Sequence, residues 1–193
     1  MNKESTYNSI LEDILNCTKC ALCRSKTHYV PGDGPLDSRV AFIGEGPGRE
    51  EDAVGHPFVG AAGRLLTELL KEIDMQRDEV FIGNIVKCRP PNNRTPLPEE
   101  VDACLPYLFA QISVIDPEVI VLLGNTPISA LLSPQYKVSA IHGRIFEKEG
   151  FKFFVTFHPA AALYHGEYKE LLRKDFLKLK EILNATKNSI GGF

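Results

Sequence analysis

The sequence predicts an α/β protein in which helices cover both faces of a mostly parallel β-sheet. Short apolar runs, typical of buried strands, alternate along the chain with longer segments that place apolar residues at helical spacing. The chain has 193 residues, 44% hydrophobic and 24% charged, which is ordinary for one compact domain. We therefore expect residues 1–193 to form a single domain, with flexibility confined to a tail from about residue 184.

The elements follow from local patterns in chain order. In the first half, apolar spacing and glycine boundaries predict a helix over 7–15, a strand over 40–44, a helix over 61–75 and a strand over 79–86. Pro98 and the two glutamates after it favour a helix start, which leads into a helix over 97–115. The remaining patterns predict a strand over 118–124, a short helix over 126–132, a hairpin over 144–157 and an amphipathic helix over 168–183.

Charge and hydropathy limit the function classes. The net charge is −3 and the isoelectric point is about 6.0, so nucleic-acid binding would require a local basic patch. The first residues show no basic segment followed by an apolar one, and no run approaches the roughly 18 apolar residues of a membrane span. We expect a cytoplasmic protein that does not bind membranes.

Four of the five cysteines form two pairs. Cys17 and Cys20 form a C-x2-C pair, and Cys88 and Cys104 form a C-x15-C pair. Because cytosolic thiols stay reduced, these pairs indicate a four-thiolate metal site that joins the N-terminal segment to the body of the domain. Zinc and an iron–sulfur cluster both fit this spacing, and four thiolates by themselves favour zinc. Cys23 is equally well explained as a core residue.

Three unusual loops should meet at the carboxyl edge of the predicted sheet. They are "GEGPGREEDAVGHPFVGAAG" (44–63), "NIVKCRPPNNR" (84–94) and "HPAAAL" (158–163). Each alone has a plain structural explanation as a tight turn, a solvated proline-rich loop or a helix entry. The first loop lacks both G-x-G-x-x-G and a Walker lysine, so it does not predict a nucleotide-phosphate site. Three such loops at one edge favour a functional site.

These loops and the four paired cysteines resemble the family 4 uracil-DNA glycosylases, the iron–sulfur branch of that superfamily. The resemblance runs from about Cys17 to the last helix. It implies a three-layer α/β/α sandwich whose N-terminal segment is held by a 4Fe-4S cluster on Cys17, Cys20, Cys88 and Cys104. It also implies a base excision repair enzyme, expected to be a monomer, that hydrolyses the N-glycosidic bond of uracil in single- or double-stranded DNA.

The chemistry of that reaction assigns roles to residues in the loops. A flipped base needs a stacking ring, for which Phe58 is placed, and an amide, since Asn84 can accept from N3–H and donate to O4 of uracil. Gly44 and Gly46 allow the backbone to approach the base and sugar closely. His158 can donate a hydrogen bond to O2 as the uracil anion forms.

A carboxylate should stabilise the sugar cation or position water. Glu45, Glu50, Glu51 and Asp52 are the candidates, because Gly46 occupies the slot where the superfamily's best-known branch has aspartate. The resemblance places Glu51 beside the C5 edge of uracil, where it could also exclude the thymine methyl, so it is the first choice. At least one of the four is expected only to cap or bridge the loop.

Phosphate contacts require cations near the pocket. The loop after the second strand and the start of the predicted hairpin supply them in Lys87, Arg89, Arg94, His142 and Arg144. A competing hypothesis is a non-catalytic nucleic-acid-binding module built around a four-cysteine metal site. It accounts for the cysteines and the basic loop but leaves Phe58, Asn84 and His158 unexplained.

Overall fold

A computed structural model describes the backbone of residues 2–190 and the side chains of residues 2–185. The described residues form a five-stranded sheet in the order β2-β1-β3-β5-β4. Its strands are β1 (Val40–Gly44), β2 (Phe81–Asn84), β3 (Val119–Leu123), β4 (Arg144–Lys148) and β5 (Phe151–Thr156). β4 is antiparallel to β5 and the other pairings are parallel, which confirms the predicted mostly parallel sheet.

Helices flank the sheet, as the alternation of patterns predicts. The α-helices of the described chain are α1 (Lys3–Leu15), α2 (Arg49–Val54), α3 (Ala61–Glu72), α4 (Pro98–Ile115), α5 (Asn125–Leu131), α6 (Val138–Ile141), α7 (Pro159–Tyr164) and α8 (Gly166–Ile190). Short 3-10 turns lie at Ala21–Arg24, Arg77–Glu79 and Pro91–Asn93. None of the described helices is long and apolar enough to cross a membrane.

The core lies where helices pack on the sheet. Every residue of β1 and β3 is buried, as expected for parallel strands covered on both faces. From α8, Phe176 reaches the sheet and stacks on Phe42 with ring centroids 5.8 Å apart. Full burial of an aromatic or leucine side chain contributes about 1.5–3 kcal/mol, so this contact stabilises the packing of α8 on the sheet.

Two regions differ from the sequence prediction. The segment expected to be a loop after β1 contains α2, which Glu51 caps by accepting from Gly48 N at 3.1 Å and which ends at Gly55 in a left-handed conformation (φ 81°). Six residues are too few to show a helical apolar period, so the pattern could not reveal α2. α8 extends to Ile190, beyond the predicted helix end at residue 183, and residues 191–193 lie outside the described part.

The strand order creates a crevice at the carboxyl edge. From β1 the chain runs to β2 on one side, and it later returns to β3 on the other side of β1. The loops that follow β1 and β3 therefore leave the sheet in opposite directions and part from each other. Ligands of open α/β sheets bind at such a switch point.

Candidate active site

A cavity of about 400 Å³ lies at this switch point. The loops after β1, β2, β3 and β5 all contribute to its wall, which confirms that the three unusual loops converge. The lining residues are Glu45, Gly46, Pro47, Gly48, Glu51, Phe58, Ala62, Asn84, Pro90, Asn93, Arg94, Leu123, Gly124, Asn125, Thr126, His158 and Ala160. The volume and the mixture of apolar and polar groups suit a small heterocycle.

Phe58 forms a wall of the cavity in a constrained conformation. Its φ is +52°, which is unusual for a residue with a side chain, and its ring stacks on His158 with centroids 5.4 Å apart. On β1, a Cβ added to Gly44 would lie only 2.7 Å from the ring. Gly63 is equally constrained, because a side chain there would collide with the Phe58 carbonyl. Glycines thus let the ring sit directly against the end of the sheet.

Asn84 is a buried amide at the end of β2. Asn84 is 1% exposed, and its Oδ1 has no hydrogen-bond partner within the described residues. A Cβ on Gly44 would come within 2.6 Å of this oxygen. An unpaired buried acceptor costs about 1–3 kcal/mol, so its presence in a cavity wall indicates a ligand that donates a hydrogen bond there.

His158 is the N-cap of α7, and this role sets its tautomer. Its Nδ1 accepts from the backbone N–H of Ala160 at 3.1 Å, so the ring proton lies on Nε2. Desolvation in the cavity wall lowers the pKa of His158 to about 4, against an opposing effect of the Glu51 carboxylate. The imidazole is therefore neutral near pH 7 and offers the cavity a donor.

The predicted catalytic carboxylates differ in whether they line the cavity. Glu45 lines the cavity and accepts from the Thr126 hydroxyl. Glu51 also lines it, but one oxygen accepts from Val59 N and Gly60 N at 3.0 Å and the other caps α2. Asp52 is buried outside the cavity wall, so the structure does not bring it to the site.

The carboxylate of Asp52 holds a different loop. It accepts from Thr27 N at 2.8 Å and from His28 N at 3.3 Å. The predicted catalytic role of Asp52 therefore disagrees with its position. α2 places consecutive side chains on different faces, which points Glu51 toward the cavity and Asp52 toward the N-terminal segment.

Of the predicted DNA-binding cations, Lys87 differs most from expectation. It is 1% exposed, and its ammonium donates to the backbone oxygen of Asn84 at 3.1 Å, so it cannot contact a phosphate in this conformation. Burial lowers the pKa of Lys87 to about 8, with the nearby Cys104 acting in the opposite direction. Sequence shows the charge of a lysine but not whether its stem turns inward.

The other cations lie in the loop after β2, where Arg94 lines the cavity, and around the start of β4. In the loop after β2, Arg94 makes a bidentate pair with Glu100 at 2.7 and 2.8 Å, and Arg89 donates to Asn93 at 2.7 Å. Arg144 begins β4 and is exposed. His142 precedes it, with Nδ1 3.0 Å from both carboxylate oxygens of Asp175.

Several groups near the cavity were not predicted from the sequence. Asn125 and Thr126 line it from the loop after β3, and the rule that strand ends converge could have identified them. On α7, the helix that His158 caps, Leu163 is 46% and Tyr164 82% exposed, so two large side chains face solvent there. Their exposure is a tertiary property that the "HPAAAL" motif does not reveal.

All five cysteines line a second, apolar cavity between α1, the loop after β2 and α4. The Lys87 N–H donates to Cys104 Sγ at 3.3 Å, and the Tyr29 hydroxyl donates to Cys17 O at 2.7 Å. Burial raises the pKa of the Cys20 and Cys104 thiols and raises that of Cys88 to about 12. No described group of three or more His, Cys, Asp or Glu side chains is arranged around a position for a single metal ion.

Comparison with known proteins identifies the class. The family model for the uracil DNA glycosylase superfamily matches residues 31–184, which include every strand and the whole cavity wall. This superfamily is the class of protein to which the fold and the pocket belong.

Full-length relatives narrow the class to one branch. Three type-4 uracil-DNA glycosylases are 44% identical, from Archaeoglobus fulgidus over 185 residues (92% of this chain, 93% of the relative), Sulfurisphaera tokodaii over 187 (92%, 84%) and Thermotoga maritima over 185 (94%, 96%). The chain belongs to the type-4 branch of the uracil-DNA glycosylase superfamily, which confirms the family that the loops predicted.

Proposed function

We propose that the cavity at the carboxyl edge takes a uracil flipped out of DNA and that the enzyme hydrolyses its N-glycosidic bond there, leaving an abasic site. The protein is a uracil-DNA glycosylase of DNA repair, a hydrolase of N-glycosyl bonds, like the type-4 relatives to which it is similar. The unpaired Oδ1 of Asn84 carries the assignment to this cavity. A buried acceptor beside a base-sized space fits the N3–H of uracil.

Recognition of the base depends on the amide and the ring. Asn84 accepts from N3–H through Oδ1 and donates to O4 through Nδ2, a pattern that cytosine reverses. Phe58 packs against the base, and Gly44 lets the Phe58 ring and the Asn84 amide lie against the end of β1, where a Cβ would be 2.6–2.7 Å from both. Cytosine in this pocket would leave buried polar groups unpaired, which disfavours its binding.

Bond cleavage depends on His158 and a carboxylate. The neutral imidazole directs Nε2–H at O2, where negative charge grows as the bond to the sugar breaks. Glu45 is the better candidate to stabilise the sugar cation or position water, because both oxygens of Glu51 already hold backbone N–H groups. Glu51 then shapes the loop that carries Phe58, and Asp52 ties that loop to the N-terminal segment.

The cysteine cavity is lined by the thiol donors that an iron–sulfur cluster requires. We assign the 4Fe-4S cluster to Cys17, Cys20, Cys88 and Cys104, which all line this cavity. No three of their thiols, all within the described chain, are arranged around a position for one metal ion. When bound, the cluster supplies iron–thiolate bonds that join the N-terminal segment to the loop after β2. In this proposal the chain is one α/β/α three-layer domain, monomeric, with a cluster whose role is structural, since hydrolysis transfers no net electrons.

DNA reaches the cavity along the carboxyl edge. The cations proposed for phosphate contacts on single- or double-stranded DNA are Arg89, Arg94, His142 and Arg144, of which Arg94 lines the cavity itself. Leu163 and Tyr164 are exposed on the helix that His158 caps and can fill the space that a flipped base leaves in the stack.

The test is release of uracil from an oligonucleotide, detected by alkaline cleavage of the abasic site. Asn84→Asp should slow uracil release and allow measurable cytosine release, because a carboxylate accepts from the cytosine amine. Asn8→Asp, the same change at an exposed position of α1, should leave both unchanged. Unaltered uracil kinetics in Asn84→Asp would remove Asn84 from the pocket, and no release by the wild type would favour the non-catalytic binding module.

A further inference from the structure

Lys87 is a fully buried lysine located between the base pocket and the cysteine cavity. Lys87 lines the cysteine cavity and is 1% exposed. In the part of the chain that the structure describes, its Nζ has one hydrogen bond, to the backbone oxygen of Asn84 at 3.1 Å, and no carboxylate within 4.0 Å. A buried ammonium is costly, so a lysine that bends back to one carbonyl needs an explanation beyond packing.

The backbone of Lys87 is anchored on the cysteine side. Its N–H donates to Cys104 Sγ at 3.3 Å, and its carbonyl accepts from Val30 N at 2.8 Å. Cys88 follows directly in the chain. One residue therefore connects a cysteine of the proposed cluster site, through its own backbone and then its side chain, to the residue that reads the base.

The segment between the two sites has little freedom to compensate. Ile85 N donates to Gly44 O at 2.9 Å, and Val86 N donates to Glu45 O at 3.2 Å. Val86 lines the cysteine cavity, and its Cγ2 is 2.7 Å from where a Cβ on Gly46 would lie. Residues 85 and 86, which continue from β2, are therefore held in place on both sides. We expect the hydrogen bond from Lys87 Nζ to the Asn84 carbonyl to determine the orientation of the Asn84 peptide group.

Lys87 has no carboxylate as a counter-charge among the described residues, but the cysteine ligands can supply one. Cysteine ligands bind metal as thiolates, so a loaded cysteine site carries negative charge beside Lys87. Cys104, which accepts from the Lys87 N–H, belongs to that ligand set. In a loaded site the ammonium would have the Cys104 thiolate nearby in addition to its carbonyl acceptor on Asn84.

We infer that Lys87 is a positioning residue for uracil recognition, which fixes the backbone of Asn84 from the cysteine site and so holds the base-reading amide in register with the pocket. The inference rests on the proposed role of Asn84. It assigns Lys87 to the recognition of the base and not to phosphate binding.

The experiment is a double-mutant cycle with a matched lysine control. Lys87→Met removes the ammonium while keeping the stem, and Lys26→Met makes the same change at a lysine that lies over the Tyr29 ring beside the cysteine cavity. These variants, Asn84→Ala and the Lys87→Met/Asn84→Ala double variant are compared in the iron-loaded protein. The readouts are single-turnover cleavage, affinity for an oligonucleotide with cleavage-resistant 2′-fluorinated deoxyuridine, and iron content.

Lys87→Met should lower both the cleavage rate and the uracil-dependent part of the affinity by about 10-fold, the effect of one charge-assisted hydrogen bond. Iron content should match the wild type, Lys26→Met should stay within about 2-fold, and Lys87→Met should add nothing further to Asn84→Ala. A stronger loss of affinity for DNA without uracil would instead indicate phosphate binding and would overturn the inference.

The remaining outcomes separate this inference from the proposed function. If Asn84→Ala leaves uracil affinity unchanged, the proposed role of Asn84 fails and the inference fails with it. If Asn84→Ala has its effect but Lys87→Met has none, or the two losses multiply in the double variant, only the inference is wrong. A Lys87→Met protein that does not fold or does not load iron also overturns it, because the lysine then supports the domain and not the amide.

Discussion

His158 offers a direct test of the proposed chemistry, because it combines an observed capping role with a proposed catalytic role, and substitution can separate the two. Its Nδ1 caps α7 by accepting from Ala160 N at 3.1 Å, which leaves the ring proton on Nε2, and the residue lines the pocket. His158→Ala removes both functions. His158→Ser retains a side-chain oxygen that can cap the helix but is too short to reach the base.

The expected magnitudes follow from these two roles. Losing one preorganised donor at a developing anion costs about 10²–10³-fold in rate, so both variants should slow single-turnover cleavage by that factor. Losing the helix cap costs about 1 kcal/mol of unfolding free energy, which His158→Ala should show and His158→Ser should largely avoid. Affinity for uracil-containing DNA should change little in either variant.

The assay is single-turnover cleavage at saturating enzyme, with affinity measured separately on cleavage-resistant DNA and stability measured by denaturant unfolding. A His158→Ser enzyme with near wild-type rate would refute the catalytic role and leave only the cap. Equal losses of affinity and rate in His158→Ala would show that the residue organises the fold or the DNA and not the transition state.

The pH dependence gives an independent check on the same residue. Burial lowers the pKa of His158 from 6.5 to about 4, so the imidazole is neutral through pH 6.5 and the rate should show no inflection there due to this group. The unfolded chain binds the proton more tightly, so this residue's contribution to stability falls as the pH drops from about 6.5 to about 4. The full loss is roughly 3 kcal/mol. An inflection near 6.5 that disappears in His158→Ser would contradict the assignment.

Three further predictions test the cluster, the pocket and the DNA edge. Cys88→Ser should lose the iron and its broad absorption near about 400 nm, whereas Cys23→Ser should retain both; a colourless wild type with one zinc per chain would contradict the assignment. Gly44→Ala should reduce uracil cleavage by about 100-fold or more, since its Cβ would lie 2.6–2.7 Å from the amide and ring of the pocket, while Gly166→Ala, with nothing within 4 Å, should be neutral. Arg89→Ala should weaken DNA binding and reduce the slope of log affinity against log salt by about one; an unchanged slope would exclude a phosphate contact.

The site residues at strand ends could be predicted because chain position determined them. Asn84 closes β2 and His158 follows β5, and parallel strands bring their carboxyl ends to one edge. Phe58 was identified from its glycine-rich neighbours, although its positive φ was not. These positions could be predicted because strand direction and loop composition are both local properties, whereas the roles of the residues stay predictions.

The orientation of three charged side chains could not be predicted from the local sequence: Lys87, Asp52 and Glu51. The sequence shows a lysine in a basic loop, and only the fold shows that its stem turns inward to the Asn84 carbonyl. The sequence likewise shows two adjacent carboxylates, Glu51 and Asp52. Only the orientation of α2 shows that Glu51 lies at the pocket and that Asp52 binds a loop 25 residues earlier in the chain.

The sequence by itself therefore determined the α/β class, the family and the edge of the sheet where the site lies, because these depend on periodicity, strand ends and contiguous motifs. The tertiary structure decided which charged side chains are exposed, which carboxylate faces the cavity and which nitrogen of His158 carries the proton. Burial and hydrogen-bond direction depend on contacts between residues far apart in the chain, and no window of sequence contains both partners.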